Sequence, residues 1–266
     1  MLYFKTMTDQ TIMKRRSYRT FSDRPVEEDV ERSLLEMTLR APSGGNMQLW
    51  SMIRVRDEEK KRILSQTCDN QPFIAKAPLV YLFLVDSHKW LEYFKASRSA
   101  EKFDIPMRMP GIGDFHLGLQ DAMAAAQTCV LAAETLGLHS CYIGDIIEQW
   151  ETVQKTFSLP DYAVPACMLV LGYPKEELKA PLLPRPEVDD FFFTDSYPEL
   201  TGEMLGRMYS RQEAFQRERG TLPFDNQGSY ADSYYKRKYM SDFMKEMDRS
   251  ARAFLGPWLK GEGENQ

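Results

Sequence analysis

The chain has 266 residues, a formal net charge of −5 and four scattered cysteines with no C-x-x-C pair. Its length suits one large domain or two modest ones. Its acidity argues against general nucleic-acid binding, where phosphate attraction supplies most of the affinity, and its cysteine usage fits a reducing compartment better than a disulfide framework. The longest apolar runs, 77–85 and 122–133, fall short of the roughly 20 residues that span a bilayer. No secretory signal is visible, so a soluble cytoplasmic protein with no membrane partner is expected.

In chain order, KRRSYRTFSD (14–23) comes first, with four cations within six positions. In an acidic chain such a cluster suggests one discrete anion, although taken alone it reads more readily as a solvated basic face. The apolar spacing of Val30, Leu34, Met37 and Ala41 predicts a helix over 26–41, stopped by Pro42. SGGN (43–46) is a flexible turn and 50–57 a strand. DEEKKRILSQ suggests a short helix, and 78–86 is apolar enough for a strand buried on both faces.

Residues 87–116 are aromatic, basic and broken by Pro106, Pro110, Gly111 and Gly113. They read either as a lid-like excursion or as a plain surface insertion. LGLQDAMAAAQTCVLAAETL (117–136) carries small residues on nearly every face, the mark of a central helix packed on several sides. A strand is expected at 140–144, a helix at 148–157 and a buried strand at 164–174. Strict βαβ alternation is missing, so the fold class is α+β. Residues 1–186 form the expected main domain. The polar, aromatic stretch 187–266 is expected to be a mostly helical arm lying on that domain or on a partner subunit.

The three histidines, His88, His116 and His139, are far apart and offer no metal-ligand spacing. Hydrolase and phosphate-loop motifs are absent; GIGDFH (111–116) follows a Pro-rich segment rather than a strand. What remains is anion binding beside closely approachable backbone. Arginine forks match phosphate and Ser17 adds a hydroxyl. Glycines 44, 45 and 144 let a flat ligand approach main-chain N–H groups, and the Asn46 and Gln48 amides suit a heterocycle edge. Phosphate at one end and a polar planar ring at the other describe flavin mononucleotide, FMN.

RRSYRTF (15–21), APSGGNMQLW (41–50), QDAMAAAQTCVLAAETLGLHSCYIG (120–144) and VPACMLVLGYP (164–174), leading into LLPRP (182–186), resemble the successive motifs of the nitroreductase family. The resemblance covers roughly residues 12–186. It implies a three-layer α+β sandwich with a central mixed sheet, flanking helices and a long central dimerisation helix. It also implies a homodimer with FMN at the subunit interface. By position, Arg15, Arg16, Ser17 and Arg19 match the segment that grips the FMN phosphate and ribityl chain. Pro42, Ser43, Gly44 and Asn46, with Gln48 close by, match a segment of the second subunit that lines the ring. Ile143 and Gly144 match the strand end facing the ring, and Arg185 matches a second phosphate ligand. Leu183 stands where the family often has Lys, a contact that Lys179 could replace.

The implied activity is NAD(P)H-dependent oxidoreduction by a ping-pong mechanism, passing hydride through FMN to a nitroaromatic, quinone or similar small acceptor. No catalytic acid or base, and no metal, is expected. The rivals are reductive dehalogenation, oxidative breakdown of the flavin itself, and an FMN store or sensor without turnover.

Overall fold

The computed structural model describes residues 7–176 and 181–260. Its elements run α1 (Met7–Lys14), α2 (Glu28–Thr38), β1 (Trp50–Arg54), α3 (Glu58–Thr67), α4 (Pro72–Lys76), β2 (Leu79–Asp86), α5 (His88–Ala96), α6 (Ser99–Phe103), α7 (Ile112–Thr135), β3 (His139–Ile143), α8 (Trp150–Phe157) and β4 (Ala163–Gly172). They continue with α9 (Val188–Phe191), α10 (Gly202–Glu218), the single irregular turn α11 (Pro223–Asn226), α12 (Tyr230–Tyr234) and α13 (Asp242–Lys260). The chain divides into two compact units: Met1–Leu178 with Glu246–Gln266, and Lys179–Lys245.

The strands of the first unit stand in the order β1-β2-β4-β3. Every described pairing is antiparallel, which corrects the expectation of a mixed sheet. The reason lies in the connections: each chain segment joining two neighbouring strands returns to the end of the sheet it left, whereas parallel pairing needs a crossover to the opposite end.

The sheet is buried on both faces. One face of β2 gives Leu79, Tyr81 and Phe83 to a core shared with Leu34 of α2 and Ala122, Ala125, Ala126, Cys129 and Ala133 of α7. The other gives Val80, Leu82 and Leu84 to a core shared with Leu64 of α3, Ile74 of α4, Val153 of α8 and Phe254 and Trp258 of α13. Alternate side chains of one strand thus serve two helical layers.

Alanine on α7 brings its axis close to the sheet. The approach is tightest at Gly118, where a Cβ would lie 2.7 Å from Cγ1 of Val85 and 3.1 Å from the Leu49 carbonyl oxygen. This helix starts at Ile112, five positions before the sequence reading put it. Asp114 explains the extension: its carboxylate accepts from the Gly111 N–H at 2.9 Å and from Arg108, capping a Gly- and Pro-rich start.

The last helix closes the first unit. Ser250, Phe254 and Trp258 recur every four residues and are buried. Ser250 Oγ accepts from the Trp150 N–H at 2.9 Å, and Arg249 forks onto Glu151 at 2.9 and 3.0 Å. The second unit is helical and rich in tyrosine, with Tyr209 stacked on Tyr230 and Arg207 paired with Asp190. No helix among the described residues is long and apolar enough to cross a membrane.

Candidate functional site

The basic run leaves α1 as an irregular strand-like segment against the outer edge of β3. The Tyr18 N–H donates to the Ser140 carbonyl at 2.9 Å. Further on, Phe21 bridges Pro174 and the Ser22 N–H reaches the Tyr173 carbonyl at 2.9 Å. Tyr18 turns inward and is 8 % exposed, while Arg15, Arg16 and Ser17 are half-buried and Arg19 is exposed. Burial raises the Cys141 thiol pKa, and Arg19, the Ser17 hydroxyl and Arg15 offset part of that rise.

Two residues along β3 from that thiol Ile143 is buried, and one further Gly144 opens a short 3₁₀ turn. A Cβ built on Gly144 would meet no atom within 4 Å, so the strand-end backbone is bare. Behind it, Gln71 donates to the Asp145 carboxylate and, at 3.0 Å, to the Cys68 carbonyl, pinning the turn. The β3 edge therefore unites a row of cations with an open main chain about 10 Å farther along the strand.

Residues 42–48 lie elsewhere. Gly45, Asn46 and Gln48 have φ of +56°, +57° and +54°, a left-handed path that glycine takes freely and asparagine tolerates. Buried Asp121 on α7 holds this loop, accepting from the Gly44 N–H at 2.8 Å and the Leu49 N–H at 3.0 Å. Ser43 Oγ accepts from the Gln48 N–H at 2.8 Å. The Gln48 side chain donates to Asn46 Oδ1 at 3.2 Å and accepts from the Trp50 indole at 2.8 Å. Trp90 of α5 donates to the Met47 carbonyl at 2.8 Å. Gln48 thus braces the loop with both ends of its amide, while Pro42, Gly44 and Asn46 stay exposed.

Strand register measures the separation. Ser140 of β3 stands level with Leu171 and Leu79, whereas Trp50 of β1, next to the loop, stands level with Val85. The basic segment, one position outside β3, and the loop beside β1 are therefore four strand spacings apart across the sheet, about 19 Å, and six residues apart along it, about 20 Å. One chain does not bring these two groups together.

Arg185 belongs to the second unit. It lines a cavity of about 470 Å³ there with Arg219, Arg237, Tyr230 and Tyr234. Lys179 lies outside the described residues. Among residues 87–116, α5 and α6 are regular, while 104–111 is not and exposes Ile105, Met107 and Met109.

The sequence matches the nitroreductase family over residues 12–173. The chain belongs to the nitroreductase family. Similar proteins include the FMN reductase (NADPH) of Bacillus subtilis (strain 168), 29 % identical over 265 residues that cover 97 % of this chain and 98 % of the relative. The Cr(VI) reductase of Pseudomonas sp. (strain G-1) is 27 % identical, with 91 % and 94 % covered. Among solved structures, the NfrA1 nitroreductase of B. subtilis superposes with a TM-score of 0.75 at 26 % identity, covering 93 % of this chain and 98 % of that one. The nitroreductase fold accounts for the three layers, and the match ends one residue after β4, just past the core sheet.

The sequence reading missed the residues that hold the site from behind. Asp121 sits in a motif quoted for its alanines, Tyr18 stands unremarked between the cations, His139 is weighed only as a metal ligand, and Gln71 carries no motif. Their signal is spatial: the two Asp121 bonds join positions 77 and 72 residues apart.

Proposed function

We propose that the protein is an FMN-dependent NAD(P)H oxidoreductase that reduces a nitroaromatic, a quinone or a similar small oxidised acceptor. It works as a cytoplasmic homodimer with ping-pong kinetics. The observation that carries this reading is the β3 edge, where a cationic segment lies along a strand that ends in bare backbone, all inside the family match. The residues fit FMN in kind: guanidinium forks and a hydroxyl for a phosphate, and open main-chain groups for a flat polar ring.

Arg15, Arg16, Ser17 and Arg19 hold the phosphate and ribityl end, and Ile143 and Gly144 face the ring. Pro42, Ser43, Gly44, Asn46 and Gln48 come from the partner subunit, a reading supported by their distance from the basic segment of their own chain. When bound, FMN supplies the hydride-transfer chemistry between nicotinamide and acceptor. The protein contributes position, positive charge near the pyrimidine side of the ring, and the exclusion of water; no side-chain acid or base is assigned.

Four free, buried cysteines suit the reducing cytoplasm. The name of the Pseudomonas relative, a Cr(VI) reductase, supports a permissive choice of acceptor.

The test is to purify the protein, identify any yellow chromophore by mass, and follow its bleaching by NADH or NADPH and its recovery with menadione or nitrofurazone. FMN, bleaching by nicotinamide and parallel double-reciprocal plots are expected. A colourless protein that also fails to bind added FMN overturns the proposal.

A further inference from the structure

The segment 15–19 has no helix or sheet of its own. Its lateral anchor is Tyr18, whose N–H is bonded to the Ser140 carbonyl and whose ring is buried. That ring lies flat on the imidazole of His139, with centroids 3.9 Å apart and planes within 10°. Oε2 of Glu134 lies 2.9 Å from Nδ1 of His139, outside hydrogen-bond geometry, and both side chains are largely buried. Glu134 stands in the last turn of α7.

The order of contact is therefore Glu134, His139, Tyr18, and then the arginines and serine on either side of Tyr18. Burial of the ring and its contact with the carboxylate together restrict how far the imidazole can turn. A ring so restricted gives the phenol ring one stacked orientation, worth more than its buried area alone. Tyr18 is flanked in sequence by Ser17 and Arg19, so its orientation sets where their side chains leave the backbone.

We infer that His139, buried beside Glu134, is a positioning residue for the anion-gripping segment: its ring is the platform that aims Ser17 and Arg19 through Tyr18. This rests on the reading of residues 15–19 as the FMN phosphate site, and it assigns a role to side chains outside the set assigned to FMN. The mechanism is preorganisation, since a segment already held in its binding conformation loses less freedom when the anion arrives.

A double-mutant cycle on the holoenzyme tests it. FMN release is followed by its fluorescence after dilution for the wild type, Tyr18→Leu, His139→Leu and the double variant, with His139→Phe as a rescue and Arg16→Ala/Arg19→Ala as the gauge of the segment. Thermal midpoints are recorded in parallel. Each Leu variant is expected to release FMN about tenfold faster, and the double variant also about tenfold faster, because both break one contact. His139→Phe, which keeps a stackable ring, is expected to return within about threefold of wild type.

Release multiplying to about a hundredfold in the double variant, or His139→Leu within twofold of wild type while the arginine variant is fast, overturns the platform. So does failure of His139→Phe to rescue when its thermal midpoint equals that of wild type. If the arginine variant too retains FMN normally, the phosphate assignment has failed and the platform falls with it. Should His139→Leu not fold, Tyr18→Leu and His139→Phe decide the question by the same criteria.

Discussion

Asp121 is a buried carboxylate whose two oxygens each receive one backbone N–H, from Gly44 and from Leu49. A single side chain thereby fixes both ends of a loop that runs through left-handed conformations. Asp121→Asn replaces one acceptor by a donor that faces another donor, leaving a buried N–H without a partner. The expected cost is about 1–3 kcal/mol of unfolding free energy, measured by urea denaturation, together with a rise in KM for the acceptor. Unchanged stability would mean that the loop holds itself. Ser43, Gly44 and Asn46 were legible in the sequence as turn formers, but Asp121 was not: a polar residue among alanines reads as the wet side of a helix. Gln48 shows the converse. Its amide suited a ligand edge on paper, and in the fold both of its ends are engaged within the loop.

Helix α7 does more than fill one face of the sheet. Asp121 near its middle holds the loop beside β1, and Glu134 near its end supports His139 beside β3. These two points lie about 20 Å apart along the helix axis at 1.5 Å per residue, which matches the offset of the two regions along the strands. The small residues of α7 keep that span close to the sheet. Gly118→Ala adds a methyl group 2.7 Å from Val85 and 3.1 Å from a main-chain oxygen. Overpacking of about 1–3 kcal/mol outweighs the roughly 1 kcal/mol gain in helix propensity, so a lower thermal midpoint is expected in calorimetry. An equal or higher midpoint would show that the helix shifts freely. β2 and β4 were legible because their apolar runs are long and bounded by Pro, Asp and Gly. The direction in which they pair was not, because an apolar run buried on both faces reads the same in either direction.

At the scale of the whole molecule, the four cysteines lie inside the packed layers. Burial pushes the thiol of Cys129 up to about 11 and that of Cys167 up to about 12, and raises Cys68 and Cys141 as well. Thiolate is the reactive form. At pH 8 the native protein is expected to leave all four unmodified by Ellman's reagent over an hour, and to react at all four in guanidinium. Rapid modification of a native thiol would contradict the packing. The C-terminal helix was the hardest large feature to foresee: Phe254 and Trp258 lie in a mostly polar stretch, and their burial depends on α8 and Tyr162, about a hundred positions earlier.

The return of the chain to its first unit at Glu246 has an evolutionary consequence. Lys179–Lys245 is an insertion tethered at both ends to one core, a cassette rather than a tail. Lengthening or replacing it costs the core little, because the entropy of closing a loop grows only logarithmically with its length. Selection can therefore rewrite this stretch while β3, α7 and the basic segment stay fixed. A chimera carrying a relative's cassette is the natural way to ask which part of this enzyme chooses its substrates.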